Sequence, residues 1–196
     1  MLKIPNFKPL SRGNSKLSKT IGCWSITPIK SCLNCEQCKK SCYALSPYRR
    51  WETVRQAWDK RFQLAKNNEH IGLINLQLKR TRKIKTVRIH VAGDFFSQDY
   101  VDSWIEIARA NPLKKFYSYS KVFDLLDLSN IENLPNVNLI NSIAEDGGIN
   151  YGDENRVKEL KDMGYRVCPV TEGKKVVCGK GCNLCIDTKK VCFYKH

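Results

Sequence analysis

Thr86-Val87-Arg88-Ile89-His90-Val91-Ala92-Gly93-Asp94-Phe95-Phe96-Ser97 is the most regular segment of the chain, and its pattern sets the class of structure around it. Val87, Ile89 and Val91 alternate with Arg88 and His90, the period of a strand, and the run stops at the turn residues Gly93 and Asp94. Ser97 is a good N-cap, after which Val101, Trp104, Ile105 and Ala108 recur at helical spacing until Asn111-Pro112. A strand, a tight turn and a helix in that order form the repeating unit of a parallel α/β sheet.

The same unit recurs on either side. Upstream, residues 23–27 form a short strand ended by Pro28, and a cysteine-rich loop follows. Helices are expected over 51–66, with Val54, Trp58, Phe62 and Ala65 on one face, and over 69–80, with Ile71, Ile74 and Leu78 inward. Downstream, strands are expected at 116–120, 137–143 and 165–170, with a helical turn at 124–128 and a loop at Asp146-Gly147-Gly148. A helix over 153–163 turns Val157 and Leu160 inward and is capped by Gly164. This alternation implies right-handed crossovers and a ligand site at the carboxyl ends of the strands. Trp24, Trp51, Trp58 and Trp104 suit a core; His90 reads as a packed, hydrogen-bonded histidine, and His70 and His196 as packing or surface residues.

Ten cysteines carry the chemistry. Cys32, Cys35, Cys38 and Cys42 are spaced C-x2-C-x2-C-x3-C, and Cys178, Cys182 and Cys185 are spaced C-x3-C-x2-C. A thiolate every third or fourth residue lets one loop wrap several sulfurs around an inorganic core, the spacing of iron–sulfur ligation. The start of the chain has no apolar run of a secretory kind, so a reducing cytoplasm is expected, where clustered thiols mean metal or catalysis rather than disulfides. We expect Cys32, Cys35, Cys38 and Cys42 to hold one [4Fe–4S] cluster and Cys168, Cys178, Cys182 and Cys185 a second, with Cys23 and Cys192 as spare buried thiols. Zinc is the alternative metal, since it also takes four thiolates.

At 196 residues, with no linker-like stretch, the chain reads as a single α/β domain over 1–196 with metal-binding loops toward both ends. No apolar stretch is long enough to cross a bilayer. The 34 Lys and Arg exceed the 19 Asp and Glu to give a formal charge of +15, a field that favours polyanions. Lys79, Arg80, Arg82, Lys83 and Lys85 form the densest patch and are the candidate nucleic-acid contacts; a merely solvated basic surface is the alternative.

The segments Cys38-Lys39-Lys40-Ser41-Cys42-Tyr43-Ala44, Arg88 to Ser97 and the terminal cysteines with Phe193 and His196 resemble the phage gene product 88 family. More distantly, the order of strand, cysteine loop, helix, strand and Gly-Asp turn resembles the radical S-adenosylmethionine (SAM) superfamily. The second resemblance implies a partial (β/α) barrel, and it makes Gly93 and Asp94 similar to the turn that binds the amino group of SAM. Three thiolates on a cube would leave one iron open to SAM, whereas four close it. The expectation is therefore an iron–sulfur protein with a radical-SAM-like core, acting on or beside nucleic acid. The alternative is a non-enzymatic nucleic-acid-binding module stapled by structural metal.

Overall fold

A computed structural model describes residues 7–36, 39–142 and 151–194. Its main sheet has five strands in chain order: β1 (Ser11–Arg12), β2 (Ile21–Cys23), β3 (Thr86–Arg88), β4 (Lys115–Ser120) and β5 (Val137–Asn141). β2 to β5 are parallel, and only the edge strand β1 runs antiparallel, against β2. The mixed α/β reading holds. β1 was not foreseen, because two residues carry no periodic signal.

Helices cover one face. α1 (Leu45–Arg50) and α2 (Glu52–Lys66) follow the first cysteine loop, α3 (His70–Arg80) precedes β3, α4 (Gln98–Ala110) joins β3 to β4, and α5 (Ser129–Glu132) precedes β5. Ser97 caps α4 as expected, its Oγ accepting the Tyr100 N–H at 3.2 Å. The core between sheet and helices includes Trp24, Ile74, Leu78, Val87, Ile89, Val101, Trp104, Phe116 and Leu139, nearly all fully buried. On α2 the buried stripe runs through Arg61, Leu64 and Ala65 instead of Trp58. Arg61 can be buried because its guanidinium donates to the Pro9 and Lys8 carbonyls, at 2.7 and 3.2 Å. Trp51, expected in the core, is half exposed.

Within the core lies one polar chain. Tyr100 Oη accepts from Trp24 Nε1 at 2.9 Å and lies 3.0 Å from His90 Nε2, whose Nδ1 is 3.3 Å from Ser118 Oγ. His70 packs among Trp24, Tyr100 and Trp104 and pairs with Ser103 Oγ at 2.9 Å. Burial holds both imidazoles neutral, His70 down to about 4 and His90 to about 3, with His70 adding to the effect at His90.

His90 also explains a difference from the sequence pattern. Its φ of +55° breaks the pleat, so the strand ends at Arg88 rather than Ala92. The His90 ring turns in among Phe95, Tyr100 and Trp104, while Val91, expected beside Val87 and Ile89, joins the opposite face.

A second, smaller parallel sheet has the order β6 (Tyr151–Gly152), β8 (Val191–Tyr194), β7 (Arg166–Val167), packed on α6 (Glu154–Asp162). The strand expected at 165–170 was to close the main series; it pairs with β8 instead. Its two residues are exposed and half-buried, too polar and short for an interior position. The helical turn expected at 124–128 forms one step later, at Ser129–Glu132. The Asp146-Gly147-Gly148 loop lies outside the described residues.

Candidate metal centre

The main sheet's other face carries a different set of side chains. Strand register places Cys23 beside Arg88 and Arg88 beside Tyr117, and Tyr119 follows on the same side. Over them lies the C-terminal segment with α7 (Leu184–Asp187). Cys178 bonds through its backbone to Lys16 O at 3.0 Å and to Ser18 N at 2.8 Å, and Asn138 Nδ2 donates to Cys185 O and Thr188 O, both at 2.8 Å.

The Cys178 to Cys182 turn is tight. Gly179 N–H donates to Cys182 O and Gly181 N–H to Val177 O, each at 2.8 Å. Gly179 has φ +81°, and a Cβ there would lie 2.7 Å from Ile21 Cδ1, so glycine lets the turn press onto β2. Cys168, from the loop after β7, is held by its N–H on Cys192 O at 2.9 Å.

Cys178 and Cys185 sense their neighbours. Burial pushes the Cys178 thiol up, Cys168 and Cys182 push it further, and Arg88 pulls it down. Burial pushes Cys185 up to about 12; a hydrogen bond with Tyr119 opposes this, while Cys168 and Cys178 add to it. None of the nine described cysteines is in a disulfide. Among the described residues, no three His, Cys, Asp or Glu side chains are arranged to hold a metal ion as they stand.

The first cysteine loop sits elsewhere, beyond the carboxyl end of β2. Cys32, Cys35 and Cys42 are half-buried, and Cys38 lies outside the described residues. The loop is entered through Ile29 at φ +69°, a conformation a β-branched residue rarely adopts. Asn34 Nδ2 ties it to Lys121 O at 3.3 Å, and the Tyr43 hydroxyl donates to Val91 O.

Gly93 and Asp94 sit at that same edge. Gly93 has φ +86°, and a Cβ would collide with Ile26 Cγ1 and lie 2.5 Å from Ser31 Oγ, so this glycine serves close chain approach. The Asp94 carboxylate accepts from Phe95 N–H and Ser120 Oγ–H on one oxygen and Lys121 N–H on the other, all at 2.8 Å. Burial pushes this carboxyl up to about 6 against those three bonds and the Lys121 charge. Lys79, Arg80, Arg82, Lys83 and Lys85 lie at the opposite edge, exposed, and in none of the ion pairs among the described residues.

A family model for gene product 88 matches residues 8–177. The chain belongs to the gene product 88 family. One relative is the gene 88 protein of Mycobacterium phage L5, 28% identical over 184 residues, covering 78% of this chain and 76% of the relative. No solved structure matches the chain. The span matched by the family model takes in the first cysteine loop, Gly93, Asp94 and Cys168, and ends one residue before Cys178.

Cys23, read as a spare buried thiol, is buried in one cluster with Tyr117, Cys178 and Cys185, but one residue of the thiol-bearing face escaped the sequence reading. Arg88 was read only as the polar half of an alternation. The available signal was a guanidinium in the middle of a strand predicted to lie inside a parallel sheet, where both faces are covered.

Proposed function

We propose that this protein binds a metal–thiolate centre of iron–sulfur type on the face of its main sheet away from the helices. Cys168, Cys178, Cys182 and Cys185 are the ligands. The observation that supports this reading is the seating of the turn: Cys178 and Cys182 are bridged through their backbones, Cys178 and Cys185 pack in one cluster against Ile21 and Tyr117, and Cys168, 10 residues upstream, is near enough to raise both of those thiols. Four soft thiolates suit iron–sulfur or zinc, and the close C-x3-C-x2-C spacing favours iron. Such a centre, when bound, supplies electron transfer or, with either metal, a staple for a segment poor in apolar side chains. Cys32, Cys35, Cys38 and Cys42 form a second candidate set beyond β2, and the chain is read as one domain.

The radical-SAM-like reading is supported by sheet order following chain order and by a cysteine loop and Gly93-Asp94 sharing the carboxyl edge. Against it stands the Asp94 carboxylate, which already takes three donors of its own chain. The exposed basic patch supports a role beside nucleic acid, in the cytoplasm of an infected host. No helix among the described residues is long and apolar enough to cross a membrane.

Anaerobic purification with iron, sulfide and zinc analysis tests the metal. Brown protein with iron and sulfide in equal amounts supports the reading, and Cys178→Ser should lose that content. Colourless protein with neither iron nor zinc refutes it. A SAM titration followed by the cluster's paramagnetic resonance tests the finer assignment: an unchanged spectrum at saturation removes SAM.

A further inference from the structure

Arg88 stands at the centre of the thiol-bearing face. Its Nε is sealed from solvent and has no hydrogen-bond partner, and its Cζ lies 5.2 Å from the Tyr119 ring centroid. None of the ion pairs among the described residues includes it. The groups around it are Cys23, Tyr43, Tyr117, Tyr119, Cys178 and Cys185. Thiols and phenols are ordinarily neutral at pH 7, so none of these supplies the missing charge. The residue as a whole is half-buried, but a guanidinium nitrogen sealed from water is costly unless a carbonyl, as at Arg61, or an anion answers it.

We infer that Arg88 is the resident counter-charge of an anionic centre formed by Cys168, Cys178, Cys182 and Cys185 with their metal. The inference rests on the metal–thiolate reading of this face. Four thiolates carry four negative charges, and a zinc ion or a doubly charged iron–sulfur core cancels two of them. The remainder is the anion that Arg88 lacks. Arg88 also has neighbours from both cysteine-bearing segments, since Tyr43, which directly follows Cys42, is one of them. Arg88 is therefore a positioning residue: it touches the sulfurs' surroundings rather than ligating, and it favours the more negative state of whatever the sulfurs hold.

Arg88→Met and Arg88→Lys test this in the full chain, with and without metal. Arg88→Met should lose its metal to a chelator about 10- to 100-fold faster than the parent, the range for neighbours of ligands. With iron, its reduction potential should move negative, since the added electron loses a nearby positive charge. Arg88→Lys should stay close to the parent on both counts. In the metal-free state the sign inverts: Arg88→Met should melt higher than the parent, because an uncompensated charge has been replaced by an apolar chain.

Equal chelator rates and potentials for Arg88→Met and parent would overturn the inference, as would Arg88→Lys behaving like Arg88→Met. A metal-free Arg88→Met protein less stable than the parent would overturn it independently of metal. A parent chain that takes up neither iron nor zinc would sink the metal–thiolate reading itself, a separate and visible failure.

Discussion

Against one face of the main sheet stand Trp104, Tyr100, Phe95 and the apolar stripes of α3 and α4, all deeply buried; against the other stand a short helix, three cysteines and two phenols around a guanidinium. The first face holds no unanswered charge. Most of its polar atoms are paired within the interior, as in the chain from Trp24 through Tyr100 and His90 to Ser118, and the two that are not, His70 Nδ1 and Trp104 Nε1, belong to neutral rings. The second face leaves Arg88 unanswered, and its cover is held by loop hydrogen bonds and surface pairs. Apolar burial accounts for the folding of the first side, and on the metal–thiolate reading proposed above a bound group completes the second.

Metal removal should separate the two faces most sharply. Structural metal in thiolate sites contributes about 10 kcal/mol or more to the folding of what it holds. Chelation should expose the amides of residues 178–187 to hydrogen exchange while those of α3 and α4 stay protected. Uniform loss of protection across both faces would erase the distinction. Trp104→Ala should do the reverse, costing about 3–5 kcal/mol in denaturant unfolding, because it empties a fully buried site between sheet and helix. Its effect on metal content at low temperature should be slight.

The helix-covered side was largely legible in the sequence because its signals are local. Ser97, Val101, Trp104 and Asn111-Pro112 state the start, buried face and end of α4 without reference to anything distant. The break at His90 was not legible, since nothing in a Val-Ala-Gly sequence reports that the preceding residue takes a positive φ. Cys178, Cys182 and Cys185 were found by spacing, which is again local. Their seat on the sheet depends on contacts with Lys16, Ser18 and Asn138, remote in sequence and ordinary in type. The destination of residues 166–167 failed for the same reason: their partner β8 comes 25 residues later.

Acid should attack the helix-covered face first. His70 and His90 are held at about 4 and about 3 in the fold, below the ordinary value near 6.5, so between about pH 6.5 and 4 the unfolded chain binds protons the fold refuses. Their stabilisation is present above that window and lost as pH falls. Asp94 works in the opposite sense: raised to about 6, it keeps a proton in the fold that the unfolded chain has released, and this contribution is lost as pH rises through 6. Two protons against one leave stability falling by about 1.4 kcal/mol per unit of acidification near pH 5. Asp94→Asn removes the opposing proton, so urea unfolding at stepped pH should show the slope rise to about 2.7 kcal/mol per unit. An unchanged slope would mean that the three donors keep Asp94 ionised in this range.

The smallest expected effect bears on what holds the C-terminal cover down. Lys115 Nζ meets Asp187 Oδ1 at 2.6 Å, but both side chains are more than half exposed, 58% and 51%. Water screens such a pair, and holding two flexible chains together costs entropy, so Lys115→Ala should change stability by less than about 1 kcal/mol. Asn138→Ala removes a buried amide that bridges Cys185 O and Thr188 O, and should cost about 1–3 kcal/mol by leaving those carbonyls unanswered. Both variants should speed metal loss to a chelator in the same order, Asn138→Ala ahead of Lys115→Ala. If Lys115→Ala proved the more damaging, the cover would be held from its charged rim, and the thiols would be passengers of α7 rather than its anchor.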